Sequence, residues 1–229
     1  MTRTELLRAL ERLTYAERMR RMVELGRQAG DDPTVVTALD QLERGDFYER
    51  YLALQACYGS RDGAHALRAL SDPSRGLRTF AATLVPQLCD DAQIASALAV
   101  VGRGQRSLLL RQLQKRHRQA TIDAHIERRA SATDPVLDRV LPFASAPIVE
   151  RALPAVAEHM ERETWRRLAR RHPALAQTTI VHALAVSGPV NARLLWQANG
   201  VLVGLGERDP HRAFALAAVL AGRTALDRL

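Results

Sequence analysis

The residues of this chain best suited to chemistry are arginines. Arg103, Arg106, Arg111, Lys115, Arg116 and Arg118 follow one another with no acid between them. On a helix advancing 100° per residue, Arg103, Arg111, Lys115 and Arg118 fall within one arc of about 120°. Leu109, Leu110 and Leu113 occupy a separate arc and are expected to face a core. A cationic ridge of this kind can align with phosphates, each neutralised phosphate adding a counterion-release contribution that weakens with salt. The same pattern also describes a plain solvated helix face. A second cluster holds Arg162, Arg166, Arg167, Arg170 and Arg171, with Trp165, Leu168 and Ala169 as its inner stripe. There Glu163 and Arg167 are spaced for an i, i+4 ion pair, which favours an ordinary exposed face. The candidate binding residues are therefore Arg103, Arg106, Arg111, Lys115, Arg118, Arg166 and Arg170.

Other side chains offer less. Phe47, Tyr48, Tyr51 and Tyr58 put three of the four tyrosines within eleven positions. Beside arginines such rings could stack on bases or anchor a peptide. Phe47, Tyr51, Leu54 and Tyr58 nevertheless follow the i, i+4, i+7, i+11 rhythm of a core stripe, which leaves only Tyr48 off the line. Gly200, Gly204 and Gly206 imitate a phosphate-binding loop, but no strand precedes them and the spacing is wrong. Small residues at i and i+4 there suit close helix approach. His159 and Glu163 stand four apart with no further ligand at metal spacing, and no zinc, thiol-redox or serine-hydrolase motif occurs. Cys57 and Cys89 read as two buried free thiols of a reducing compartment. No catalytic residue, metal or cofactor is expected, and the chain reads as a non-enzyme.

Elements that could position these groups are written in the punctuation. In 229 residues, 47% are hydrophobic and only 4% aromatic. Leu, Ala and Val must fill the core, which suits helix-on-helix packing. The net charge of +8 points toward nucleic acid or an anionic surface. Two facts weaken it: Lys115 is the one lysine among 33 basic residues, as in a GC-rich coding background, and acids interleave almost everywhere. Thr14, Asp32-Pro33, Asp46 and Asp90-Asp91 are helix starts, and Gly45 and Gly59 are helix stops. Pro86 predicts a kink near a helix end. Asp134-Pro135, Pro147, Pro173, Pro189 and Pro210 open later helices, with a break expected at Asn199-Gly200. About fourteen short helices result. Paired off, they form units of roughly 30 residues (33–59, 62–88, 91–118, 121–144, 147–172 and 174–205), the period associated with helical repeats.

The stretch Leu70-Ser71-Asp72-Pro73-Ser74-Arg75-Gly76-Leu77-Arg78-Thr79-Phe80-Ala81-Ala82 resembles a HEAT-repeat junction. Asp72, Leu77 and Arg78 stand where that family places an Asp-Pro turn, an aliphatic residue and an arginine. Pro86 and Pro142 are similar to the proline found within HEAT helices. The resemblance implies an all-α superhelix of the HEAT/armadillo kind and carries no activity with it. Some HEAT-like proteins are alkylpurine DNA glycosylases that use tryptophans and an aspartate. Trp165 and Trp196 are the only tryptophans here, and neither can be placed, with an aspartate, onto that motif.

The expectation is thus one all-α solenoid domain over 1–229, with cap helices in 1–30 and an apolar terminal helix in 210–229. Its function would be that of a scaffold taking a protein or peptide partner on a concave surface. A nucleic-acid-binding solenoid, glycosylase-like in the extreme, is the alternative. The terminal helix is apolar nearly all round (Phe214, Leu216, Val219, Leu220), so it is expected either to bury itself across the preceding unit or to take a neighbour, self-association included. No apolar segment approaches the ~20 residues of a membrane span, and none follows Met1 as a secretion signal would. An intracellular, soluble location, cytoplasmic or nuclear, is expected.

Overall fold

A computed structural model describes residues 1–131, 136–187 and 191–226, the side chains of 131 and 224–226 excepted. Among the described residues the protein is all-α, with no strand and fifteen α-helices. It divides into two compact units, Met1–Thr121 and Ile122–Leu229. Asp134-Pro135 and Pro189, read above as helix starts, lie outside the described residues.

The N-terminal unit runs α1 (Arg3–Glu11), α2 (Tyr15–Gln28), α3 (Pro33–Glu43), α4 (Phe47–Ser60), α5 (Gly63–Arg68), α6 (Arg75–Leu88), α7 (Asp91–Val100) and α8 (Arg103–Lys115), with the division falling in the first turn of α9 (Gln119–Ser131). Local chemistry sets the helix starts. Thr2 with Glu5, Thr14 with Glu17, Asp46 with Glu49 and Asp90 with Gln93 form reciprocal capping boxes, and Asp32 accepts from Thr34 N ahead of Pro33. Each such cap is worth about 1 kcal/mol. Glu49 does double duty: buried, it also pairs with Arg3 of α1.

Packing in this unit joins helices two apart in the chain: α1 on α3, α2 on α4, α4 on α6 and α6 on α8. Tyr15 meets Tyr51 and Arg18 meets Tyr48 near the starts of α2 and α4, while Gly26 meets Ala56 near their ends, so the two helices run parallel. A core of Leu6, Leu10, Met22, Leu25, Leu42 and Leu52 fills the space among α1 to α4. The turn at Asp72-Pro73 is held by its own polar residues and by Arg50. Asp72 accepts from Arg50 Nε of α4 (2.9 Å) and from Ser74 N (2.7 Å), and Arg78 donates to the Asp72 and Pro73 carbonyls (2.8 Å each).

In the C-terminal unit α10 (Leu137–Val140) and a 3₁₀ turn (Leu141–Phe143) lead to α11 (Ala146–Val156), a second 3₁₀ turn (Ala157–His159), α12 (Arg162–Arg171), α13 (Pro173–Val186), α14 (Ala192–Gly206) and α15 (Pro210–Leu226). Here too helices two apart pack, α12 on α14 and α13 on α15. The break expected at Asn199-Gly200 does not occur, and α14 is continuous. Gly200 and Gly204 are there for proximity. A Cβ on Gly200 would stand 2.5 Å from the Arg162 carbonyl oxygen, and one on Gly204 would stand 2.8 Å from the Ala169 Cβ. The glycine spacing that imitates a phosphate loop is the seam along which α12 and α14 touch. On α15, Leu216 is buried and Phe214 and Val219 are exposed. No helix among the described residues is long and apolar enough to cross a membrane.

Candidate functional site

The arginine ridge is only partly a surface. Arg106 is buried, and its guanidinium donates to the carbonyls of Leu98 and Val101 (2.9 Å each), closing the C-terminal end of α7. Arg118 donates to Pro86 O (3.2 Å) and Cys89 O (2.9 Å) at the end of α6 and pairs with Asp91. It never belonged to the arc. Helix α8 ends at Lys115 and His117 sits at φ 56°, so the 100° progression stops short of residue 118. Arg103, Arg111 and Lys115 do face solvent, Arg111 with a bond from Nε to its own Ser107 carbonyl (3.2 Å).

The second cluster is tied down as well. Arg166 Nε donates to Glu207 (2.8 Å) and Arg170 Nε pairs with the other oxygen of the same carboxylate (2.9 Å). Glu163 joins Arg167 at 3.1 Å, the i, i+4 pair its spacing implies, and stands 3.5 Å from Arg166. These two arginines of the predicted set therefore clamp α12 to the end of α14. Of the seven candidates, Arg103, Arg111 and Lys115 remain directed outward in the N-terminal unit without a carboxylate partner among the described residues.

Sequence periodicity underrates a different surface. Tyr15, Tyr48 and Tyr51 gather where the starts of α2 and α4 meet, and Tyr58, the remaining tyrosine, follows two turns along α4. Tyr15 and Tyr51 share a hydrogen bond at 2.8 Å, and Arg18 donates to the Tyr48 hydroxyl at 2.7 Å with its guanidinium 6.0 Å from the centre of the same ring. Tyr51 and Tyr58 lie against Phe80 of α6 with ring centres 5.1 and 6.2 Å apart. Burial, reinforced by the Tyr15 hydroxyl, pushes the Tyr51 phenol up to about 12. The outer rings are open to solvent: Tyr15 is 58% exposed, Phe47 52% and Tyr48 36%. The expected core stripe thus holds at Leu54, which is buried, and runs off the core at Phe47. Phe47 is the first residue of α4, where its ring lies beside Gly76 in the first turn of α6 and stays half exposed.

This surface is prearranged. Tyr51 and Tyr58 form a floor packed on Phe80, and Arg18 holds the Tyr48 ring. Rigid aromatic rings beside an arginine lose little conformational entropy on binding and supply most of the energy in protein interfaces. No hydroxyl, thiol or carboxylate in it is placed as a nucleophile or general base. Among the described residues no three His, Cys, Asp or Glu gather as metal ligands. Cys57 and Cys89 are buried and free. Trp165 is buried and Trp196 exposed, both in the C-terminal unit.

No protein family, curated protein or solved structure compared with this chain matches it.

Proposed function

We propose that this chain is a non-enzymatic binding module, a HEAT/armadillo-like α-solenoid, that takes a protein or peptide partner on the aromatic face of its N-terminal unit. The observation that carries the reading is that face: Tyr15 and Tyr48 exposed beside Arg18, Phe47 exposed at the start of α4, and Tyr51 and Tyr58 fixed against Phe80. Tyr, Phe and Arg are the residue types enriched at interface centres. The solenoid part rests on the packing of helices two apart, with α2 parallel to α4 and α12 on α14, which is how successive two-helix repeats shield one another. Nucleic acid is the competing partner, and Arg103, Arg111 and Lys115 on an acid-free α8 are its support.

A displayed peptide library selected on the purified protein separates the two. Selected peptides should lose at least tenfold in affinity on a Phe47→Ala, Tyr48→Ala variant, since truncated hot-spot residues cost about 2 kcal/mol or more in total. They should bind a Val100→Ala variant unchanged, Val100 being an isolated exposed apolar side chain (84%) in the same unit. Both substitutions are at the surface, and an unchanged melting temperature checks the fold. The reading fails if no peptide is enriched, or if oligonucleotides bind tightly with a salt slope that Arg103→Glu with Lys115→Glu abolishes and the aromatic variant leaves alone.

A further inference from the structure

The carboxylates around the aromatic face are already engaged. Glu17 accepts from Thr14 N (2.8 Å) and Asp46 accepts from Glu49 N (2.9 Å) in the capping boxes of α2 and α4. Glu49 is buried and paired with Arg3, and Asp72 is held by Arg50 (2.9 Å) and Ser74 N (2.7 Å). Glu49 is the one acid in the sequence of α4, and α6 has none.

Donors and positive charge remain. Arg18 donates to the Tyr48 hydroxyl (2.7 Å), which leaves that hydroxyl its own hydrogen for a partner. Tyr15 and Tyr51 place one of their two hydrogens between their oxygens (2.8 Å) and keep the other. Arg44, the C-cap of α3, stands three residues ahead of Phe47. Arg75 opens α6 next to Gly76, where a Cβ would lie 3.6 Å from the Phe47 ring. Both guanidiniums are exposed, with no carboxylate partner among the described residues.

We propose that the partner taken on this face is an acidic peptide segment. An apolar side chain of the segment lies against the Phe47 and Tyr48 rings, and flanking aspartates or glutamates meet Arg44 and Arg75. Its carbonyls accept the phenol hydrogens left over by Tyr48 and by the Tyr15–Tyr51 pair. Complementary charge of this kind steers encounter and rejects partners of the wrong sign. The net charge of +8 acts in the same direction at longer range. Nucleic acid brings a phosphate with every nucleotide and calls for a groove of cations along its backbone. Here the two free guanidiniums stand singly beside the rings. The proposal rests on the aromatic face being a peptide site and adds the chemistry of its occupant.

Random peptides of about twelve residues, displayed and selected on the purified protein, test it. The selected set should hold at least twice the Asp and Glu content of the unselected library. Resynthesised with Asn and Gln in place of those acids, the peptides should bind about fivefold more weakly. Arg44→Gln with Arg75→Gln should cost the acidic forms about fivefold and leave the amide forms alone, a loss expected of two exposed charges. Arg27→Gln with Arg116→Gln, the same loss of charge at the far ends of α2 and α8, should change affinity less than about twofold. All four arginines are exposed, and an unchanged melting temperature checks each fold. Three results would overturn the acidic partner and leave the peptide site standing: peptides that depend on Phe47 and Tyr48 without gaining acids, amide forms that bind equally well, or indifference to the Arg44, Arg75 pair. Failure to enrich any peptide, or peptides indifferent to Phe47→Ala with Tyr48→Ala, overturns both readings. So does a thymidine strand of about twelve nucleotides that binds more tightly than the peptides and is lost in that aromatic variant.

Discussion

Gly59 of α4 lies directly against the backbone of Val23 in α2, so close that a Cβ at position 59 would overlap the Val23 carbonyl oxygen. Gly26 meets the Ala56 carbonyl in the same way from the other side. Backbone contact of this kind allows two helices to pack with nothing but hydrogen between them, and both partners are backbone that cannot swing aside. Gly59→Ala should therefore destabilise the protein by about 2 kcal/mol or more, outweighing the helix propensity that alanine brings. Gly222 in α15 is exposed with no heavy atom near its would-be Cβ, and Gly222→Ala should gain about 0.5 to 1 kcal/mol. Urea denaturation of the two variants gives opposite signs if the contact is what matters.

The arginines of α8 should separate in the same assay. Arg106→Ala strips a guanidinium from the carbonyls of Leu98 and Val101 and should cost about 2 kcal/mol, the penalty for leaving buried acceptors unsatisfied. Arg103→Ala and Lys115→Ala, on the exposed side, should stay within about 0.5 kcal/mol of the parent.

What could be read in advance follows from the range of each interaction. Caps depend on three or four consecutive residues, and Thr14, Asp32-Pro33, Asp46 and Asp90 all start helices as their sequence implies. Gly200 and Gly204 announce close helix approach through their i, i+4 spacing. Asn199-Gly200 suggests a break there, because nothing local reveals that the α12 backbone lies across from Gly200. The arginine ridge was drawn from azimuth alone. Azimuth says which way Arg106 leaves its helix, but not that the open carbonyl end of α7 waits there. Arg118 was lost to the left-handed residue His117, which ends the wheel. Phe47, Tyr48, Tyr51 and Tyr58 are legible as an aromatic set, but Tyr15 is not, because Tyr15 and Tyr48 are 33 positions apart and only packing of α2 on α4 unites them.

The thiols should be inert. Burial pushes Cys57 up to about 12 and Cys89 up to about 11, so neither is a thiolate at neutral pH. The native protein at pH 8 should resist Ellman's reagent over an hour and release two equivalents after denaturation. Rapid reaction of either thiol in the native protein would contradict the burial.

Stability should fall as pH drops from 7.5 to 5.5. Burial holds the His65 imidazole below its ordinary 6.5, with Glu43 (Nε2 to Oε1, 3.8 Å) only partly opposing it, and burial does the same to His172. The unfolded chain then takes up protons that the folded one refuses. Stability is complete above about 6.5 and is lost as pH falls through that value toward the lowered folded ones. A His65→Gln, His172→Gln variant should flatten the profile in this window. Carboxylates held low by their caps, such as Glu5, Glu17 and Asp32, act only below about 4.5.

Hydrogen exchange, read with and without a saturating selected peptide, tests the proposed binding face most directly. The proposal predicts slowed amide exchange in the first turns of α2 and α4, around Tyr15, Arg18 and Tyr48, with α8 from Arg103 to Lys115 unchanged. Protection confined to α8, or no protection at the starts of α2 and α4, would contradict it.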